Sequence, residues 1–209
     1  MADSAAAYTS AGTGRTAAAL IDGMGHTPEI VRLAPMLAET AVRVGAVRGA
    51  LAGLLSAGLL LADPGHPDAV GVLVVTREDG GAELVWAGDC RAYRWDGAVL
   101  RQLTTDHSLA AYLTRAAGSD VPVHALVNFV GVTLGTAVPA TVPYVSVPAG
   151  GMLVLTSDGV HDQVEPEELE RLVRTHADPQ ALAEALVAAA EAGPDGARDD
   201  ATAIVLAAT

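Results

Sequence analysis

Residues 151–162 read GMLVLTSDGVHD, and the interpretation of this stretch decides the fold. Residues 152–156 form a continuous apolar and β-branched run of strand length, which predicts a short buried strand. The run ends in Ser157-Asp158-Gly159, so a carboxylate stands just past the strand. The glycine behind it permits a tight turn and a close backbone approach. The same arrangement recurs: residues 17–21 lead into Asp22-Gly23, residues 83–87 lead into Gly88-Asp89, and, reversed, Asp199-Asp200 leads into residues 201–206. Acidic residues at strand ends can converge on one edge of a β-fold, where they repel one another unless a cation sits among them or some take up protons. The pattern is that of a metal site.

At 209 residues the chain is long enough for one domain with a real core, and residues 1–209 read as a single domain without repeats, low-complexity tracts or linkers. Hydrophobic residues make up 51% of it but aromatics only 3%, so the core must be built from Leu, Val, Ile and Ala. A formal net charge of -13 argues against nucleic-acid and anionic-membrane partners, which it would repel. All 12 basic residues are Arg, which with the Ala excess suggests a GC-rich bacterial genome. A lone cysteine, Cys90, rules out an internal disulfide. With no basic-then-apolar leader at the start, the expectation is a cytoplasmic protein. The most apolar run, residues 44–62, carries Arg48 and four glycines. Its Gly45, Gly49, Gly53 and Ala57 recur at i+4, which is read as close helix packing rather than a membrane span.

Residues 1–8 read as a short polar start. Thr27 as cap, Pro28 at the first helical position and Glu29 in the first turn predict a helix to about Val44. A second helix is predicted over 46–62. Strands are expected over 69–76, 83–87, 91–95 and 98–102, joined by turns of hairpin composition. Then come a helix over 108–117, a loop over 118–122, strands over 127–134 and 141–147, amphipathic helices over 164–175 and 179–192, a loop over 193–198, and a last strand opened by Asp199. Two helices followed by strands point to a layered α+β domain.

Five motifs stand in order: Asp22-Gly23-Met24-Gly25, Gly88-Asp89-Cys90-Arg91-Ala92-Tyr93, Leu103-Thr104-Thr105-Asp106-His107-Ser108, Ser157-Asp158-Gly159-Val160 and Asp199-Asp200-Ala201-Thr202. Together they cover nearly the whole chain and resemble the metal-dependent protein phosphatases (PPM, the type 2C serine/threonine phosphatases), in a bacterial form. The resemblance implies an antiparallel β-sandwich flanked by pairs of α-helices, a four-layer αββα fold, with two Mn²⁺ or Mg²⁺ ions at one end. It implies that Asp22 bridges both ions, that the Gly23 carbonyl ligates one, and that Asp158 and Asp199 complete the other. Asp89 matches the acid that, with the Asp158 equivalent, holds a third, weaker ion. Oxygen-only ligands suit these hard cations and would not select zinc. The implied reaction is hydrolysis of phosphoserine or phosphothreonine in a phosphorylated protein, in which a metal-bridging water of lowered pKa attacks in line as hydroxide. No covalent phosphoenzyme is required, so Cys90 need not be a nucleophile.

Relatives usually begin with Arg-x-x-Asn-Glu-Asp, whose Arg grips the phosphate and whose acids support the metals. Here Asp3 aligns with the last acid and counts as a metal-site residue, Ala2 replaces the Glu, and the Arg has no position, so the N-terminus reads as shortened. Losing that charge-assisted contact should weaken phosphate binding severely. Met24 stands where some relatives carry a general-acid His. His26, two residues on, is the candidate general acid, against the plainer reading of a loop histidine. Asp106 is read as a helix cap and His107 as a packed side chain. Asp162 is read as a structural hydrogen-bonder, and Asp200 as the lesser ligand candidate of its pair. Asp63, Asp68 and Asp79 are explained by turn chemistry. Three functional readings follow: a metal-dependent phosphatase, a catalytically impaired binding or regulatory module, and a sensor that binds metal for structure alone.

Overall fold

The computed structural model describes residues 2–61, 67–117, 129–190 and 200–207. It contains β1 (Ser4–Thr9), β2 (Thr16–Gly23), α1 (Pro28–Arg48), α2 (Ala50–Gly58), β3 (Ala69–Thr76), β4 (Ala82–Ala87), β5 (Arg91–Trp95), β6 (Leu100–Gln102), α3 (Leu109–Ala117), β7 (Tyr144–Val147), β8 (Met152–Thr156), α4 (Asp158–His161), α5 (Pro166–Thr175), α6 (Pro179–Ala189) and β9 (Ala203–Ala207). The strands form two antiparallel sheets, ordered β1-β2-β3-β4-β7 and β6-β5-β8-β9. This is the α+β architecture expected.

Alternation along the strands sorts the side chains into three apolar layers. Leu20, Val72, Val74, Leu84, Trp86, Ala92 and Leu155 fill the space between the sheets. Odd-numbered neighbours such as Ala19, Ile21, Leu73 and Val75 face outward, where they meet Leu37, Ala41 and Leu54 of α1 and α2. Val154 on the other sheet lies under Leu169, Leu172, Leu182 and Leu186 of α5 and α6. Thr27 caps α1 by accepting from the Ile30 N–H, with Pro28 inside, and Asp178 caps α6 by accepting from the Ala181 N–H.

Several boundaries differ from expectation. Residues 4–9 are a strand rather than a polar start, because Ala6 and Tyr8 lend one face to the core. The first helix continues to Arg48 and breaks at Gly49, and the second stops at Gly58 before a 3₁₀ turn over Leu59–Leu61. The small-residue stripe is packing: a Cβ on Gly53 would lie 2.5 Å from the Ala41 carbonyl oxygen. Among the described residues no helix is long and apolar enough to cross a membrane. Of the strand expected over 127–134, residues 127 and 128 lie outside the described residues, and the described remainder forms a single bridge, Ser108 to Val130. Asp68 is the cause, since its carboxylate accepts from the Thr133 hydroxyl and from the Gly135 N–H and turns the chain aside. The loops expected over 118–122 and 193–198 lie outside the described residues.

Candidate active site

Strand register assembles the acids. Ser4 stands opposite Ile21 in the β1–β2 ladder, so one step further sets Asp3 opposite Asp22, and the Gly23 N–H then donates to the Ala2 carbonyl at 3.2 Å. Arg91 stands opposite Thr156 in the β5–β8 ladder, which carried outward sets Asp89 opposite Asp158. Asp22 and Asp3 belong to one sheet and Asp89 and Asp158 to the other, and they interact pairwise, Asp22 with Asp3, Asp22 with Asp158, and Asp89 with Asp158.

Each acid is held by its own local device. Gly88 turns the chain between β4 and β5 with φ +98, and a Cβ there would lie 2.2 Å from Val70. Its N–H donates to His107 Nδ1 at 3.1 Å, and its carbonyl accepts from the His107 N–H at 3.0 Å. The next motif in sequence thus pins the Gly-Asp turn. Asp158 opens α4 and accepts from the Gly159 N–H at 2.7 Å. Gly159 packs against the strand that follows, because a Cβ would lie 2.2 Å from the Asp200 carbonyl oxygen. The buried Ser157 hydroxyl accepts from the Thr202 N–H at 3.0 Å and donates to the Asp200 carbonyl at 3.4 Å.

The electrostatics follow from this crowding. Burial, then the charges of Asp3 and Asp158, push the Asp22 carboxyl up to about 10, and its hydrogen bonds to those two groups push the same way. Asp3 is also raised, mainly by burial, against the opposing hydroxyls of Ser157 and Thr202 and the hydrogen bond from Asp22. Asp89 is pushed up to about 6 by burial and then by the Asp158 charge. Cys90 is fully buried and its thiol is pushed well up by burial, so it is no thiolate nucleophile.

Among the described residues no group of three or more His, Cys, Asp and Glu side chains is spaced to hold a metal ion as it stands. The contacts are instead pairwise, Asp22 with Asp3 and Asp22 with Asp158. The donor set still suits a hard divalent cation. All of it is oxygen, and Asp3 Oδ2 is buried with no hydrogen-bond partner. Asp199 lies outside the described residues.

Sequence reading missed several neighbours of the site. A cavity of about 390 Å³ is lined by Asp89, Asp158, Asp162, Arg91, Asp106 and His161 among others. Asp106 is not a helix cap: it holds Arg91 bidentately, at 2.7 Å to Nη2 and 3.1 Å to Nε. Ser108 caps α3 instead, accepting from the Ala111 N–H at 3.2 Å. Asp162 faces this cavity and its carboxyl is raised by burial. Its spacing of one helical turn from Asp158 was the available signal. His161 is buried with Nδ1 2.9 Å from the Thr156 hydroxyl, and burial depresses its pKa well below the usual value. Asp200 reaches back to the chain start, where its Oδ2 accepts from the Ala2 N–H, and His26 Nε2 stands 3.7 Å from the same oxygen.

No curated protein matches the chain by sequence. Solved structures do match. The serine/threonine phosphatase Stp1 from Staphylococcus aureus superposes with a TM-score of 0.82 at 19% identity, over 100% of this chain and 89% of that one. PppA, a regulatory component of T6SS in Pseudomonas aeruginosa, gives 0.74 at 23% identity, over 99% and 97%. The PPM Ser-Thr phosphatase MsPP from Mycobacterium smegmatis gives 0.71 at 23% identity, over 97% and 96%. These are likenesses of fold. The model of the Stage II sporulation protein E (SpoIIE) family matches residues 12–209. With a match of that extent over the αββα fold and its acid-lined sheet end, the chain belongs to the SpoIIE family, a PP2C-like branch of the metal-dependent protein phosphatases.

Proposed function

We propose that the chain hydrolyses phosphoserine or phosphothreonine in a phosphorylated protein, in the cytoplasm, with Mn²⁺ or Mg²⁺ as cofactor. The observation that carries this reading is the strand register that sets Asp3 beside Asp22 on one sheet and Asp89 beside Asp158 on the other, with Asp22 and Asp158 in contact across the two. Burial and that crowding favour a proton on Asp22. A divalent cation would take that proton's place. Asp22 and the Gly23 carbonyl, with Asp158 and Asp199, would hold two ions, Asp3 would support them, and Asp89 with Asp158 would hold a third. When bound, the ions supply Lewis acidity and charge neutralisation for the phosphate and for water. The chain's own residues bring these carboxyl groups to one end of the two sheets, where a cation would replace the protons that burial and mutual repulsion favour. His26, exposed with its Nε2 3.7 Å from Asp200 Oδ2, would protonate the departing Ser or Thr oxygen.

One observation favours a second reading, a catalytically impaired binding or regulatory module. Arg91 lines the cavity but its fork is engaged by Asp106, and the chain near Asp3 offers the Ala2 backbone where relatives place a Glu. The deciding experiment is Mn²⁺-dependent hydrolysis of p-nitrophenyl phosphate. Turnover that is lost in Asp158→Asn supports the hydrolase. Calorimetric Mn²⁺ binding with no turnover supports the module.

A further inference from the structure

The carboxylate cavity does not end at its acids. It shares Asp106, Ser108 and Ala111 with a second cavity of about 640 Å³, which is lined by Trp86, His107, Leu109, Tyr112, Phe129 and Pro143 among others. That size falls within the range of ligand-binding pockets, roughly 300–1,000 Å³. Of the chain's two Trp, four Tyr and one Phe, three residues line this one hollow. Its floor is fixed: the Trp86 ring stacks on His107 at 6.2 Å and 17°, and Trp86 Nε1 donates to the Thr105 carbonyl at 2.9 Å. Its rim is tied by the Leu109 N–H to the Phe129 carbonyl at 2.8 Å and the Gly131 N–H to the His107 carbonyl at 2.6 Å. On this rim Tyr112 and Phe129 stand 67% and 62% exposed. The charged group in the lining, Asp106, is already held by Arg91.

We propose that this hollow is the subsite for a bulky apolar side chain flanking the phosphorylated residue of the substrate. The inference rests on the hydrolase reading. A peptide whose phosphate enters the acid-lined cavity has an apolar aromatic hollow across the shared wall of Asp106, Ser108 and Ala111. A net charge of -13 repels acidic flanking sequence, so the substrate class is a phosphopeptide with a Leu- or Phe-sized neighbour and no acidic cluster. The aromatics supply contact area at low entropy cost, and the stacked floor is already ordered before binding.

The test is fluorescence anisotropy of labelled phosphoserine peptides on the Mn²⁺-loaded full chain, with one Leu walked through three positions on either side of the phosphoserine. At least one position binds about tenfold tighter than its Gly counterpart, the gain expected from burying one such side chain. Tyr112→Ser and Phe129→Ser bring that Leu peptide down to the affinity of the Gly peptide. Both side chains are largely exposed, so circular dichroism and melting verify that the variants fold. A gain below twofold at every position overturns the proposal. So does a gain that survives in both variants, equal binding of the unphosphorylated Leu peptide, or a dimer in light scattering that Tyr112→Ser dissociates. Leu-dependent binding without p-nitrophenyl phosphate turnover sinks the hydrolase reading alone, and turnover without Leu preference sinks the subsite alone.

Discussion

Asp3 stands opposite Asp22, one step beyond the last paired residues of β1 and β2, and the two carboxyl groups are hydrogen-bonded to each other. In the unfolded chain both would ionise near the ordinary carboxylate value, whereas in the folded chain Asp22 keeps its proton up to about 10 and Asp89 up to about 6. The folded state thus binds more protons between those limits, so stability is full below about pH 4 for these groups and declines as pH rises through the folded values. Metal-free protein in EDTA is expected to lose melting temperature between pH 5 and pH 9. Mn²⁺ is expected to raise it, more at pH 8 than at pH 6, with protons released on binding. Asp22→Asn removes the larger part of the slope. Calorimetry in two buffers of different ionisation heat measures the proton release.

His107 is the support of a different acid. Its Nδ1 accepts from the Gly88 N–H and its own N–H donates to the Gly88 carbonyl, which fixes the turn that presents Asp89. His107→Ala leaves the Gly88 donor without that acceptor and removes the ring stacked on Trp86. The expected cost is about 1–3 kcal/mol in urea unfolding, together with weaker Mn²⁺ binding by calorimetry. A variant as stable as the parent shows that the turn is held by other means.

Arg91 and Asp106 form a bidentate pair whose side chains are 26% and 14% exposed. A double-mutant cycle of Arg91→Lys and Asp106→Asn should return a coupling of about 1–2 kcal/mol, because a lysine cannot reproduce the two parallel bonds of the guanidinium. A coupling near zero makes the pair a solvated surface contact.

Gly159→Ala tests the packing of the organising motif. The added methyl would meet the Asp200 carbonyl oxygen, which is backbone and cannot rotate away. Overpacking of this kind costs typically about 1–3 kcal/mol. The expected result is a matching loss in urea unfolding and a displaced Asp158, seen as reduced Mn²⁺ affinity. Unchanged values in both would mean that the backbone at Asp200 yields freely.

The legible parts of the molecule were those written in contiguous residues. An apolar run followed by an acid and a glycine announced β8 with Asp158 and β2 with Asp22, and Thr27-Pro28 announced the start of α1. What escaped was either too weak in local preference or decided by partners distant in the chain. Half of β1 is alanine, its aromatic and β-branched residues, Tyr8 and Thr9, come only at the end, and it exists because β2 offers it an edge. Asp106 reads as a cap beside Ser108, yet Arg91, fifteen residues earlier, captures it. Asp68 reads as turn chemistry, and only the fold shows it closing the loop at Thr133 and Gly135.

Among the described residues no strand belongs to both sheets, so between the two leaves lies a layer of packed side chains. Asp22 rides on one leaf and Asp158 on the other. A cation clasped by both would act as a rivet between the two plates, tying them into one cooperative body. Hydrogen exchange in β2 and β8 should then slow together on loading, and the gap between the plates becomes the quantity that sets how firmly the rivet seats.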